Sequence, residues 1–140
     1  MLNKIDYLRV SVTNKCNLRC IYCNPLSDNT LCEYQDILKL NEILYIIRLF
    51  VKCGIKRVRL TGGEPLLRND ILELISRLAA IEGIEDISVT TNGIHLESLA
   101  DGLKAAGLNR INISVDSLNR DTYKTITGFE ISSEGLRRTE

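Results

Sequence analysis

Apolar residues recur along this chain with two different periods. Four short runs, YLRVSVT (7–13), RVRLTGG (57–63), ISVTTNG (87–93) and INISVDS (111–117), are apolar at every second position, the period of a strand. Between them the spacing becomes helical. One helix is predicted from about Glu42 to Cys53, a second follows Asn69, a third runs to about Ala106, and RDTYKTI starts a fourth. Asn41 is read as the cap of the first helix and Gly54 as its stop. Asn69 is read as the cap of the second, with Asp70 in its first turn and Gly83 near its end, and Gly107 as the stop of the third. A strand followed by a helix, four times over, predicts an α/β domain on a parallel sheet, because parallel neighbours need a crossover between them.

Each strand also divides into two faces. Leu8, Val10 and Val12 oppose Arg9, Ser11 and Thr13, and Val58 and Leu60 oppose Arg57, Arg59 and Thr61. Ile87, Val89 and Thr91 oppose Ser88, Thr90 and Asn92, while Ile111, Ile113 and Val115 oppose Asn112, Ser114 and Asp116. A sheet covered by helices on both sides would be apolar on both faces. The pattern therefore predicts helices on one face and a polar concavity on the other, an open partial barrel with its site at the C-terminal ends of the strands. The unusual stretches fall on that rim: a cysteine loop after the first strand, TGGEP after the second, TTNG at the end of the third and SVDS at the end of the fourth.

Composition narrows the function. Eighteen basic side chains balance 18 acidic ones, with 44% hydrophobic residues, so there is no basic footprint for nucleic acid and no attraction to anionic lipid. The apolar stretch ILYIIRLF is interrupted by Arg48 and is far shorter than a membrane span. The N-terminus has no secretory pattern, so the expected setting is cytoplasmic, without membrane or nucleic-acid partners. In a reducing compartment five cysteines are read as metal ligands, catalytic groups or small apolar residues rather than as disulfide halves.

Three of them stand in CNLRCIYC as Cys16, Cys20 and Cys23. Thiolates this close suit zinc or an iron-sulfur cluster. A structural zinc site wants a fourth ligand, and Cys32 lies nine residues beyond Cys23. A 4Fe-4S cluster on three thiolates would instead leave one iron open, and the cysteines alone do not choose. In TGGEP, Gly62 and Gly63 permit close backbone approach, and Glu64 and Pro65 stiffen the exit. No GKS or GKT follows, so this is no phosphate-binding P-loop. The turn's exposed peptide groups are expected to hold the amino acid end of a ligand bound to an open iron at the neighbouring cysteine loop.

C-x3-C-x2-C with an aromatic residue before the last cysteine, followed by a strand ending in Gly-Gly-Glu-Pro, resembles the radical S-adenosylmethionine (SAM) superfamily. DYLRVSVTNKCNLRCIYCNP, VRLTGGEPLLRND, VTTNG and INISVDSL, in that order over about residues 5–128, resemble more narrowly its GTP 3',8-cyclase family of molybdenum cofactor biosynthesis. CNP stands where that family usually has Met after the third cysteine.

The resemblance implies the first four βα units of an open partial TIM barrel. It implies that Cys16, Cys20 and Cys23 bind a 4Fe-4S cluster whose fourth iron is chelated by SAM. It also implies that Tyr22, through its backbone, Gly63 and Ser114 contact SAM, and that Arg9, Arg59 and Thr90 hold GTP. Reductive cleavage of SAM would give a 5'-deoxyadenosyl radical that takes hydrogen from the GTP ribose, leading to 3',8-cyclo-7,8-dihydro-GTP. An electron donor such as flavodoxin or ferredoxin is implied, and a homodimer is compatible with the family. Both arginines sit on the polar faces assigned above, and guanidinium forks match phosphate oxygens.

Residues 1–128 are expected to form a partial core domain and 129–140 a disordered tail outside the family pattern. Family members carry two more βα units and a second three-cysteine cluster, so cyclisation by the 140 residues alone is not expected. Cys53 is read as a core thiol, Cys32 as a loop residue and His95 as a solvated residue near a helix start. Glu64 is read as a structural element of its turn, and Asp116 as either orienting Ser114 or capping the last helix.

Overall fold

In a computed structural model the chain is described at residues 5–23 and 37–129. The predicted alternation is present: β1 (Tyr7–Ser11), α1 (Leu40–Lys52), β2 (Arg57–Thr61), α2 (Ile71–Ala79), β3 (Asp86–Thr91), α3 (Leu96–Ala105), β4 (Arg110–Ile113) and α4 (Arg120–Thr127), with a short 3-10 turn at Pro65–Leu67. All three strand pairings are parallel and the sheet order is β1-β2-β3-β4. Consecutive strands are thus spatial neighbours, as successive βα units in one direction of winding produce.

The core lies on one side of this sheet. Val58, Leu60, Ile87 and Val89 meet Ile43, Leu44 and Ile47 of α1 and Ile71, Leu74, Ile75 and Leu78 of α2, all nearly fully buried. Each Leu or Ile withdrawn from water in this way contributes about 1.5–3 kcal/mol. The opposite face is mostly open: Arg9, Ser11, Arg57, Asn112 and Ser114 are exposed and Arg59, Thr61 and Thr90 half-buried, whereas Ser88 and Thr13 on it are buried. This is the one-sided covering that the strand pattern predicts. β4 departs from it, because Ile111, Ile113 and, just past its end, Val115 are 39–40% exposed; among the described residues the strand pairs only with β3. Among the described residues no helix is long and apolar enough to cross a membrane.

Several local expectations need correction. Lys39, not Asn41, occupies the N-cap of α1, because Glu42 accepts the Lys39 N–H at 2.7 Å. Asn41 instead accepts a hydrogen bond from Arg77 of α2 at 3.0 Å. Asp70 rather than Asn69 precedes α2 at its N-cap, and its carboxylate is held by Arg68 instead of by the helix amides. Gly54 and Gly107 do follow their helices with φ of +103° and +94°, as stop residues should. α2, however, ends at Ala79, four residues before Gly83. Cys53 is exposed rather than a core thiol, since it caps α1 off the stripe formed by Ile43, Leu44 and Ile47. Asn119 caps α4 by accepting the Thr122 N–H, so Asp116 does not. His95 stands half-buried at the N-cap of α3, and Cys32 lies outside the described residues.

Candidate functional site

The loop after β1 is built onto the turn after β2. Gly63 N–H donates to Thr13 O at 2.8 Å and Glu64 N–H to Lys15 O at 2.6 Å. A Cβ on Gly62 would stand 2.3 Å from Thr13 O, and one on Gly63 would stand 2.2 Å from Lys15 O. Gly62 also has a φ of +145°, which L side chains rarely adopt. The glycine pair is thus required by the stem of the cysteine loop itself. Both amides are engaged there, so neither is among the exposed peptide groups expected to face a ligand.

Glu64 is 1% exposed and its carboxylate is fully engaged. Oε1 accepts from Leu66 N–H at 3.0 Å and from the Thr91 hydroxyl at 2.7 Å, and Oε2 accepts from Asn92 N–H at 2.7 Å. A buried carboxylate is stable only with such donors around it. Asn92 carries the connection on, donating from Nδ2 to Asn17 Oδ1 at 2.8 Å within the cysteine loop. One side chain therefore ties the ends of β2 and β3, and through Asn92 the loop, into one unit. The structural reading of Glu64 holds, with no sign of a general base.

Cys16, Cys20 and Cys23 follow on this loop, half-buried, buried and exposed respectively. Cys23 N–H donates to Cys20 O at 3.0 Å, closing a tight turn, and the Cys16 sulfur accepts from Leu18 N–H at 3.4 Å. Burial pushes the Cys20 thiol up; the nearby Tyr22 side chain opposes this, and the charges of Asp116, Cys23 and Cys16 add to it. A bound metal cation reverses that balance and favours thiolates. Among the described residues no three metal-type side chains are already gathered as a finished site. The donors fit a thiolate-held cluster, and the loop presents them without closing on them.

The far side of the loop meets the fourth unit. The Tyr22 hydroxyl donates to Asp116 Oδ1 at 2.8 Å, and this bond, followed by burial, raises the phenol above its ordinary range. Ser114 N–H donates to Thr91 O at 2.8 Å, which fixes Ser114 just beyond β4 while its residue stays exposed.

Lower on the polar face, Arg9 and Arg59 stand side by side in the β1–β2 register. The neighbouring Arg57 pairs with Asp6 at 2.6 Å, and Arg110 pairs with Asp86. Among the described residues neither Arg9 nor Arg59 has an acidic partner. Arg59 lies over the Tyr7 ring at 5.5 Å, and its Nε approaches Ser88 Oγ at 3.4 Å. Like charges on adjacent strands repel, and an anion between them would relieve that repulsion. Thr90 is half-buried on the same face of β3.

Asn17, Asn92 and Arg68 escape a reading based on motifs. Arg68, with 10% of its side chain exposed, donates to Val12 O at 2.8 Å and Leu38 O at 3.0 Å, joining the end of β1 to the approach to α1. Its place in LLRND was the available signal, but its partners are distant in sequence.

The sequence model described as the radical SAM superfamily matches residues 10–138. The GTP 3',8-cyclase of Petrotoga mobilis is 52% identical over 136 residues, covering 95% of this chain and 42% of that enzyme. The GTP 3',8-cyclase of Listeria monocytogenes serovar 1/2a is 54% identical over 122 residues, covering 87% of this chain and 37% of that enzyme. The chain thus spans about two-fifths of the length of these curated relatives. Among solved structures, Streptococcus suis SuiB bound to precursor peptide SuiA superimposes with a TM-score of 0.70 at 22% identity, over 89% of this chain and 27% of SuiB. That likeness concerns the fold. With the cysteine loop seated on a Gly-Gly-Glu turn at the rim of a parallel sheet, and the superfamily match spanning nearly all of it, the chain belongs to the radical SAM superfamily.

Proposed function

We propose that this chain provides the cluster-, SAM- and GTP-binding face of a GTP 3',8-cyclase in molybdenum cofactor biosynthesis. Cys16, Cys20 and Cys23 hold three irons of a 4Fe-4S cluster. The Tyr22 backbone, Gly63 and Ser114 contact SAM, while Arg9, Arg59 and Thr90 hold GTP. When bound, the cluster and SAM supply reductive cleavage of a sulfonium and thereby a carbon radical that takes hydrogen from the substrate sugar. A one-electron donor of the flavodoxin or ferredoxin kind and a reducing, cytoplasmic setting suit that chemistry.

The chain's own part is to position and to neutralise. Since the Gly63 and Glu64 amides serve the loop stem, the turn has acceptor oxygens left to offer, which suits the N–H donors of the SAM amino group. Arg9 and Arg59, in register without acidic partners, balance phosphate charge in the concavity, where fork-shaped donors also fix orientation. That pair is the observation that carries GTP over an uncharged substrate.

The test is equilibrium binding of GTP to the purified chain at fixed ionic strength. Arg9→Ala and Arg59→Ala are each expected to weaken binding about 10–100-fold, the value of a charge-assisted hydrogen bond. Lysine at either position restores part of the loss, because it keeps the charge but not the fork. Equal GTP affinity in wild type and the double alanine variant would contradict the assignment.

A further inference from the structure

The loop that carries the three cysteines is gripped from two sides. Toward β2 and β3 it is held by the Gly62–Glu64 turn and by Asn92. On the opposite side, Arg19 N–H donates to Thr127 O at 2.8 Å and Ile21 N–H donates to Ile126 O at 2.9 Å. Carbonyls in the last turn of a helix have no partner within the helix. Alternate amides of the cysteine loop therefore cap α4, and α4 in turn fixes the loop. Gly128, with a φ of +66°, closes the helix at this point, where a Cβ would already touch Arg19 Cβ at 3.4 Å. Tyr123 and Thr127, 3% and 0% exposed, are buried along the inner side of α4. Tyr22, between Cys20 and Cys23, completes the grip through its 2.8 Å bond to Asp116, 94 residues away.

The geometry points to the β4–α4 unit as the frame in which the thiols are presented, with Asp116 a positioning residue that acts through the Tyr22 hydroxyl. Its consequence for a cluster rests on the proposed function, whereas the latch itself is a property of the metal-free chain. Without the bond, the amides of Arg19 and Ile21 would open more often from α4, and Cys20 and Cys23 would sample a wider range of positions before any metal arrives. Pre-organised ligands bind more tightly than mobile ones because less freedom is lost on binding.

Hydrogen exchange on the whole metal-free chain reads this directly. In Tyr22→Phe and Asp116→Ala the Arg19 and Ile21 amides are expected to exchange up to about tenfold faster, the factor one modest hydrogen bond is worth. In Asp116→Asn they stay near wild type, since the amide oxygen still accepts the phenol proton. Amides of the β2–β3 ladder should not change in any variant, which separates loss of the latch from general unfolding. After anaerobic reconstitution, the reduced-cluster electron paramagnetic resonance lines should broaden in Tyr22→Phe and Asp116→Ala and remain sharp in Asp116→Asn. Exchange within twofold of wild type in the first two variants overturns the latch, and so do unchanged resonance lines in those variants. A wild-type chain that accepts no cluster overturns the proposed function instead, and the exchange result still decides the latch.

Discussion

Serine at Cys16, Cys20 or Cys23 abolishes cluster binding: after anaerobic reconstitution, iron and sulfide per chain fall to background and the visible absorption is lost. Thiolate sulfur is the donor these clusters require, and an alcohol oxygen does not replace it. The loss should exceed the ~10–100-fold that removal of an outer-shell partner costs a metal site. Serine at Cys32 or at the exposed Cys53 leaves iron content unchanged. The contrast is informative because a four-thiol zinc site built with Cys32 predicts the opposite for that residue. Metal analysis that finds zinc in wild type, and none in Cys32→Ser, would overturn the assignment.

Glu64→Ala has the largest expected effect on stability. It strands the Thr91 hydroxyl and the Leu66 and Asn92 amides around a site that was 1% exposed. Hydrogen bonds to a charged group are worth about 1.5–3 kcal/mol each, and unpaired buried groups add their own cost. A total near 3–5 kcal/mol is expected, a large share of the ~5–15 kcal/mol that holds a domain folded. Glu64→Gln costs less, about 1–3 kcal/mol, because one amide oxygen still accepts while the amide NH2 faces a donor. Urea denaturation of the three proteins measures both values. Alanine and glutamine variants of equal stability would show that the carboxylate is not the tie between β2 and β3.

The alternation of strands and helices, the one-sided core and the polar face were legible because all depend on periodicity within a few residues, as Val58 and Leu60 alternating with Arg57, Arg59 and Thr61 illustrate. The rim could be located for the same reason. Helix starts were less legible: Asn41 and Asn69 are good caps by type, but Glu42 bonding Lys39 moved one start and Arg68 holding Asp70 reset the other. Cys53 misled because a thiol at the end of an apolar helix looks buried until the direction of the stripe is known. The partners of Glu64, Arg68 and Asp116 could not be read at all. Apart from the local bonds of Glu64 to Leu66 and of Arg68 to Asp70, each contact joins segments that local periodicity does not relate, from 27 residues between Glu64 and Thr91 to 94 between Tyr22 and Asp116.

In the proposed function, three thiols leave an iron open for SAM while Gly63 and Ser114 line the place beside it. Electron paramagnetic resonance of the reconstituted, dithionite-reduced chain, recorded before and after SAM is added, tests it most directly. The account predicts a reduced 4Fe-4S signal whose g-values shift on adding SAM, and methionine formed in the same sample. A cluster signal unaltered by saturating SAM, or a chain that takes up stoichiometric zinc and no cluster, would contradict it.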